Sequence, residues 1–248
     1  MTAPLYIYGV ARAGTDVPGD AKGLDGHPVE LVAHGDVAAV VSELPAGRPL
    51  GERADLMAYQ QVLEALLVAG AVVLPFRFGA ALNSREAVEQ ELLAGNAGRF
   101  KEILDQLEGR LEMRLKGTYV QENVLREVMQ QEPAIAELNE RVRDVPPDAA
   151  DAAYYDRVRL GELIAQALDA RREGDARALL EPLAPAAVAV SAKTPAREED
   201  VVDAAFLIDR AKQDDFVQAV EELGQAHAGR IQLRLIGPLP PYDFVPEG

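Results

Sequence analysis

Residues that could do chemistry are few in this chain and stand apart. It has three histidines, His27, His34 and His227, and no cysteine. None of the histidines sits in an HExxH or in an i, i+4 pair with a second ligand, the spacings that put two metal ligands on one helical face. His34 and Asp36 flank Gly35, an arrangement open to a metal ion and equally to ordinary turn chemistry. His227 falls at the end of a predicted helix, where a cation favours the dipole. No Gly-x-Ser-x-Gly elbow, P-loop or GxGxxG occurs. These residue types supply no catalytic set, no metal site and no cofactor site, so the expectation is that the protein is not an enzyme.

What is left is the chemistry of contact. Arg77 stands between Phe76 and Phe78 beside Pro75, and arginine flanked by aromatics is a composition enriched at protein interfaces. The competing reading is an arginine whose stem packs on a sheet and whose head pairs with a carboxylate. The C-terminal run Pro240-Pro241-Tyr242-Asp243-Phe244 carries two more aromatics. It docks either on its own chain or on a partner. The candidate partner-binding residues are therefore Phe76, Arg77, Phe78, Pro240, Pro241, Tyr242 and Phe244.

Composition narrows the partners. A chain of 248 residues with a 48% hydrophobic share can bury a sizeable core. Its formal net charge of −16 argues against nucleic acid and anionic membrane surfaces, both of which reward a basic face, and favours solubility. The N-terminus lacks the basic region, apolar run and cleavage site of a signal peptide. The apolar stretch from Val62 to Pro75 is broken by Glu64 and Gly70, short of the ~18 apolar residues of a membrane span. A cytoplasmic protein is expected, and the lack of cysteine is compatible with a reducing compartment.

The elements that must position these residues are read from periodicity. Leu5–Val10 predicts a strand with Tyr6 and Tyr8 on one face and Leu5 and Ile7 on the other. Val29–Val32 and Val37–Leu44 predict a hairpin across Gly35-Asp36. Leu56, Tyr59, Leu63, Leu66 and Leu67 share one helical face, with Asp55 among the residues turned away and Gly70 as the stop. Ala71–Leu82 predicts one strand, with Val72, Leu74, Phe76 and Phe78 on one face and Pro75 pushing it toward a sheet edge. Ser84 caps a helix, or a pair broken at Gly95 and Gly98, that runs to Glu108.

Glu122–Val142 predicts helix interrupted at Pro133, and Val145-Pro146-Pro147-Asp148 punctuates the chain. Tyr154–Arg172 predicts a helix burying Tyr155, Val158, Leu163 and Ala167, stopped by Gly174. Strands follow at Ala187–Ala192 and Ala204–Arg210. A helix capped by Asp214 then buries Phe216, Val217, Val220 and Leu223. Ile231, Leu233 and Leu235 alternate in a last strand that Gly237-Pro238 should end, with polyproline II beyond.

That last strand has an echo. Gly109–Gly117 and Gly229–Gly237 share the order Gly, Arg, aliphatic, Glu/Gln, Met/Leu, Arg, Leu, variable, Gly. The pair suggests two related α/β units. The expected fold is α+β: an N-terminal α/β domain over 1–120, then a C-terminal domain over 121–248. In the latter a helical segment, 121–185, precedes a ferredoxin-like β-β-α-β run.

Five stretches taken in order carry a resemblance: Leu5-Tyr6-Ile7-Tyr8-Gly9, Val73–Gly79, Glu112–Lys116, Ala205–Arg210 and Gly237–Phe244. Together they resemble the gas vesicle protein F/L family, GvpF/GvpL. The family's ending more often has Trp and Ser where Leu239 and Asp243 stand here. The resemblance implies a minor, gas-vesicle-associated component that is not an enzyme. It implies binding to the hydrophobic, GvpA-type shell protein and to other accessory proteins during nucleation, holding the shell protein back from aggregation. An acidic surface would keep that complex soluble while a sheet edge at Val72–Phe78 or a helical groove covers an apolar segment. The alternative, on fold analogy, is a regulatory protein with a small-molecule site between two ferredoxin-like units.

Overall fold

The structure, a computed structural model, describes residues 3–146 and 154–245. Packing divides the chain into two units. The first runs to Met113 and takes in Leu207–Ala211 and the chain from Gly237 onward; the second is Arg114–Phe206 with Lys212–Ile236. The linear division into 1–120 and 121–248 differs from this one mainly in where the two returning segments belong.

In the first unit, β1 (Leu5–Arg12) is flanked by the hairpin β2 (Glu30–His34) and β3 (Val37–Glu43) on one side and by β4 (Leu74–Pro75) on the other, giving the order β2-β3-β1-β4. His34 pairs with Val37, so the hairpin turns on Gly35-Asp36 alone. Helix α1 (Arg53–Val68) lays Tyr59, Val62, Leu63 and Leu66 against Tyr6 and Tyr8, the core of this unit. Asp55 and Leu56 exchange their expected places: Asp55 is 2% exposed and Leu56 44%. The helical spacing 55, 59, 62, 66 puts the carboxylate on the buried face. There it accepts from the Gly51 and Glu52 amides (3.0 and 3.1 Å) and from both terminal nitrogens of Arg48 (3.0 and 2.6 Å). Those donors at the helix start make its burial favourable.

The single strand expected over Ala71–Leu82 is two short ones. β4 pairs with Gly9 and Val10, and β5 (Ala81–Leu82) pairs with Leu5 and Tyr6. Between them the chain bulges, because Gly79 adopts φ +98°, a conformation that ends extended backbone and that glycine enters without a Cβ penalty. β4 lies at the end of the strand order, the edge position that Pro75 favours. Beyond β5, Ser84 accepts from the Ala87 amide (3.0 Å) and caps a short helix, α2 (Arg85–Ala87), which continues as a π-helix, Val88–Leu93. Helix α3 (Ala97–Leu107) follows.

The second unit reads β6 (Arg110–Tyr119), α4 (Gln121–Gln131), α5 (Pro133–Arg143), α6 (Tyr154–Leu180), β7 (Ala189–Lys193), β8 (Asp200–Asp209), α7 (Gln213–Ala226) and β9 (Ile231–Leu239). Strand order is β7-β8-β6-β9. The Tyr119 and Val120 amides donate to the Glu199 and Arg230 carbonyls (2.8 and 2.9 Å), just ahead of β8 and β9, so β6 runs antiparallel to both. This is a ferredoxin-like arrangement, and the fold class is α+β with a helical segment between two sheets. The first sheet has the same order with a loop in place of the first helical crossover. The echo strands are consequently not counterparts in two units. β6 and β9 are neighbours in one sheet, and by strand order β6 corresponds to β1 and β9 to β4. Both follow a helix closed by glycine and both alternate, which is enough to give antiparallel neighbours a shared vocabulary.

Further expectations are corrected. α6 passes through Gly174 to Leu180 and leaves Tyr155 and Val158 exposed, 82% and 44%. Each helical glycine, Gly161 or Gly174, costs only about 1 kcal/mol. Against that, Asp175 accepts from Tyr119 Oη (2.5 Å) and from Arg230 (2.6 and 2.8 Å), and Leu179 is buried. Asp214 lies inside the first turn of α7, whose N-cap is Lys212. β9 continues through a cis Gly237–Pro238 bond to Leu239, since a proline on an edge strand removes no ladder partner. A 3-10 turn, Tyr242–Phe244, then replaces the expected polyproline II. Pro147 and Asp148 lie outside the described residues.

Candidate partner-binding site

Two tyrosines pin the bulge between β4 and β5 at its two ends. The Tyr59 hydroxyl donates to the Phe76 carbonyl (2.5 Å), and the Tyr6 hydroxyl accepts from the Gly79 amide (3.0 Å). Phe78 turns inward, its ring 6.0 Å from Tyr6 and 5.8 Å from Tyr59, so it belongs to the core cluster. Phe76 faces the other way, 6.3 Å from Phe100 of α3, and Arg77 is exposed at the tip. Tyr59→Phe removes the clamp and leaves the Phe76 carbonyl short of a donor. It is expected to cost about 1–3 kcal/mol. A melting temperature within a degree of wild type would show that the clamp does not hold the bulge.

The C-terminal segment docks on its own chain. Pro240 and Pro241 are buried, and the Asp243 amide donates to the carboxylate of Glu112 (2.9 Å), a side chain only 1% exposed in β6. The Tyr242 hydroxyl pairs with that of Tyr59, and Phe244 is half-buried. Tyr59 thus ties the bulge and the tail together.

Bulge, tail, π-helix and α3 flank an open cavity of about 810 Å³ within the first unit. Phe76, Leu82, Leu92, Phe100, Ile103 and Val245 line it with half-buried apolar surface, and Tyr242 closes one side. Arg77, Arg99, Glu91 and Asn96 are its polar lining. Of the residues singled out from sequence, the fold brings Phe76, Arg77 and Tyr242 into this wall. Phe78, Pro240, Pro241 and Phe244 are not among the lining residues. Glu112, Tyr59 and Phe100 were missed. The signal available for Glu112 was a carboxylate inside an otherwise apolar, alternating strand.

The phenols of this cluster titrate late. Burial pushes Tyr6 and Tyr242 up to about 12 and raises Tyr59 and Tyr8 as well. At Tyr242 the negative charges of Glu112 and Glu64 add to the rise that burial causes. A folded-state value above the unfolded value of about 10 means that the neutral phenol is favoured by folding. That stability is complete below about pH 10 and is lost as pH rises toward the folded values. Melting temperature should therefore fall above about pH 10, and in a Tyr154→Phe/Tyr155→Phe background, which removes the two most exposed phenols, tyrosinate absorbance should appear together with unfolding. Tyrosinate absorbance that grew in that background while the protein stayed folded would contradict the burial of these hydroxyls.

Elsewhere, His34 ends β2, His227 is the C-cap of α7 and His27 Nδ1 lies 3.7 Å from Glu43. Among the described residues no group of three or more His, Cys, Asp or Glu side chains could hold a metal ion, and no helix is long and apolar enough to cross a membrane. In the second unit the polar groups close on each other: Arg114 grips Asp203 (2.7 and 2.9 Å), and Arg230 holds Asp175 and Glu127.

Comparison with known proteins places this architecture. The family model described as "Gas vesicle synthesis protein GvpL/GvpF" matches residues 4–246. Gas vesicle protein F of Streptomyces sp. (strain CB03234) is 34% identical over 97% of this chain and 98% of its own length. Gas vesicle protein F of Dolichospermum flosaquae is 25% identical over 98% of each. The crystal structure of GvpF from Anabaena sp. PCC7120 superposes with a TM-score of 0.82 at 25% identity, covering 100% of both chains.

Proposed function

The chain belongs to the gas vesicle GvpL/GvpF family, and from that premise we propose that it is an accessory protein of vesicle assembly that binds the hydrophobic shell protein. The family is one of gas vesicle structural and accessory proteins, which gives this chain a gas-vesicle-related role. The finer reading is that it covers an apolar segment of the shell protein, and meets other accessory proteins, during nucleation. The cavity of the first unit carries that reading, because it offers half-buried Phe76, Leu92, Phe100 and Ile103 to a partner on a chain of net charge −16. Apolar contact supplies affinity and the acidic surface supplies solubility. In this reading Phe76, Arg77 and Tyr242 touch the partner. Phe78, Pro240, Pro241 and Phe244 hold the bulge and tail in place behind them.

Co-expression with the shell protein tests the proposal. The shell protein is expected to stay soluble and to co-purify with this chain. Shell protein that precipitates as it does alone would overturn it.

A further inference from the structure

Resting on the reading of the cavity as the partner site, we propose that the segment it takes is a peptide with a carboxylate set beside an apolar face, and that Arg77 and Arg99 receive the carboxylate. Acidic residues outnumber basic ones 41 to 25 in the chain, yet the charged lining of this cavity is two arginines and one glutamate. A volume of about 810 Å³ falls in the range, about 300–1,000 Å³, of cavities that hold ligands. Guanidinium groups meet carboxylates with two parallel hydrogen bonds, and a partner whose apolar face covers these exposed arginines would strengthen that attraction by excluding water. Tyr242 and Val245 of the chain's own tail add apolar wall to the same cavity.

The test uses the full chain and fluorescein-labelled peptides sharing one leucine–alanine face, with Glu, Gln or Lys at one flanking position, read by anisotropy at neutral pH. The Glu peptide is expected to bind roughly tenfold more tightly than the Gln peptide, with the Lys peptide weaker still. That preference should collapse in the Arg77→Gln/Arg99→Gln double variant and at high salt. Arg99→Gln alone serves if the double variant melts early. Equal binding of the Glu and Gln peptides, or no binding of either, overturns the proposal. So does dodecanoate binding without any peptide binding, which would make the occupant a small amphiphile. The parent reading fails separately. Shell protein that co-purifies equally with wild type and double variant keeps the assembly role and removes the carboxylate pairing. Shell protein that precipitates beside wild type removes the assembly role whatever the peptides do.

Discussion

Alanine in place of Phe206 is expected to cost about 3–5 kcal/mol. Phe206 is 0% exposed at the middle of β8, an inner strand of the second sheet, and its ring lies 5.1 Å from that of Phe216, 1% exposed on α7. Truncation removes a full aromatic side chain from water-free packing, leaves a cavity between helix and sheet, and loses a ring pair worth about 0.5–1.5 kcal/mol. For a chain of this size each kcal/mol lowers the melting temperature by roughly 2–4 °C, so the shift is easily read. Phe206→Leu, which keeps most of the volume, should cost well under half as much. A loss below about 1 kcal/mol for the alanine variant would mean that the site repacks and that this pair does not hold α7 to the sheet.

Gly9→Val should damage both the stability of the first unit and the proposed partner site. A Cβ at Gly9 would lie 2.3 Å from the Leu74 carbonyl oxygen and 2.8 Å from Val73 Cγ1. The first obstacle is backbone, and it belongs to the β1–β4 pairing in which Gly9 faces Pro75 and Val10 faces Leu74. Relief requires β4 to move away, and the Phe76–Gly79 bulge moves with it. Overpacking of this kind costs about 1–3 kcal/mol, and more when backbone must yield. The variant should melt early and lose the shell protein in co-purification. Gly14→Val is the control, because nothing lies within 4 Å of a Cβ there. Wild-type binding by Gly9→Val would separate the bulge from the site.

Most of the secondary structure was legible because it follows from period and punctuation. The Gly35-Asp36 hairpin, the Pro133 break, the Ser84 cap and the ferredoxin-like run after β6 all carry local signals. What was not legible depends on partners distant in sequence. Asp55 looks like a surface carboxylate until Arg48 and two backbone amides converge on it. Gly174 looks like a helix stop until Asp175 is anchored from β6 and from the residue before β9. Tyr155 and Val158 fit a buried stripe by period, yet are exposed. The same division holds for the site. The aromatic–arginine composition around Arg77 picked out the bulge. The inward turn of Phe78 and the burial of Glu112 under the tail depend on long-range pairing with Tyr6, Tyr59 and Asp243.

Photo-crosslinking tests whether the cavity of the first unit receives the shell protein. p-Benzoylphenylalanine would replace Phe100 inside the cavity and, separately, Val190, which is 40% exposed on the edge strand β7 of the second unit. Each variant would be irradiated in cells that co-express the shell protein. A crosslink to the shell protein is expected from position 100, and none above background from position 190. A crosslink from position 190 with none from position 100 would contradict it and move the site to the second unit.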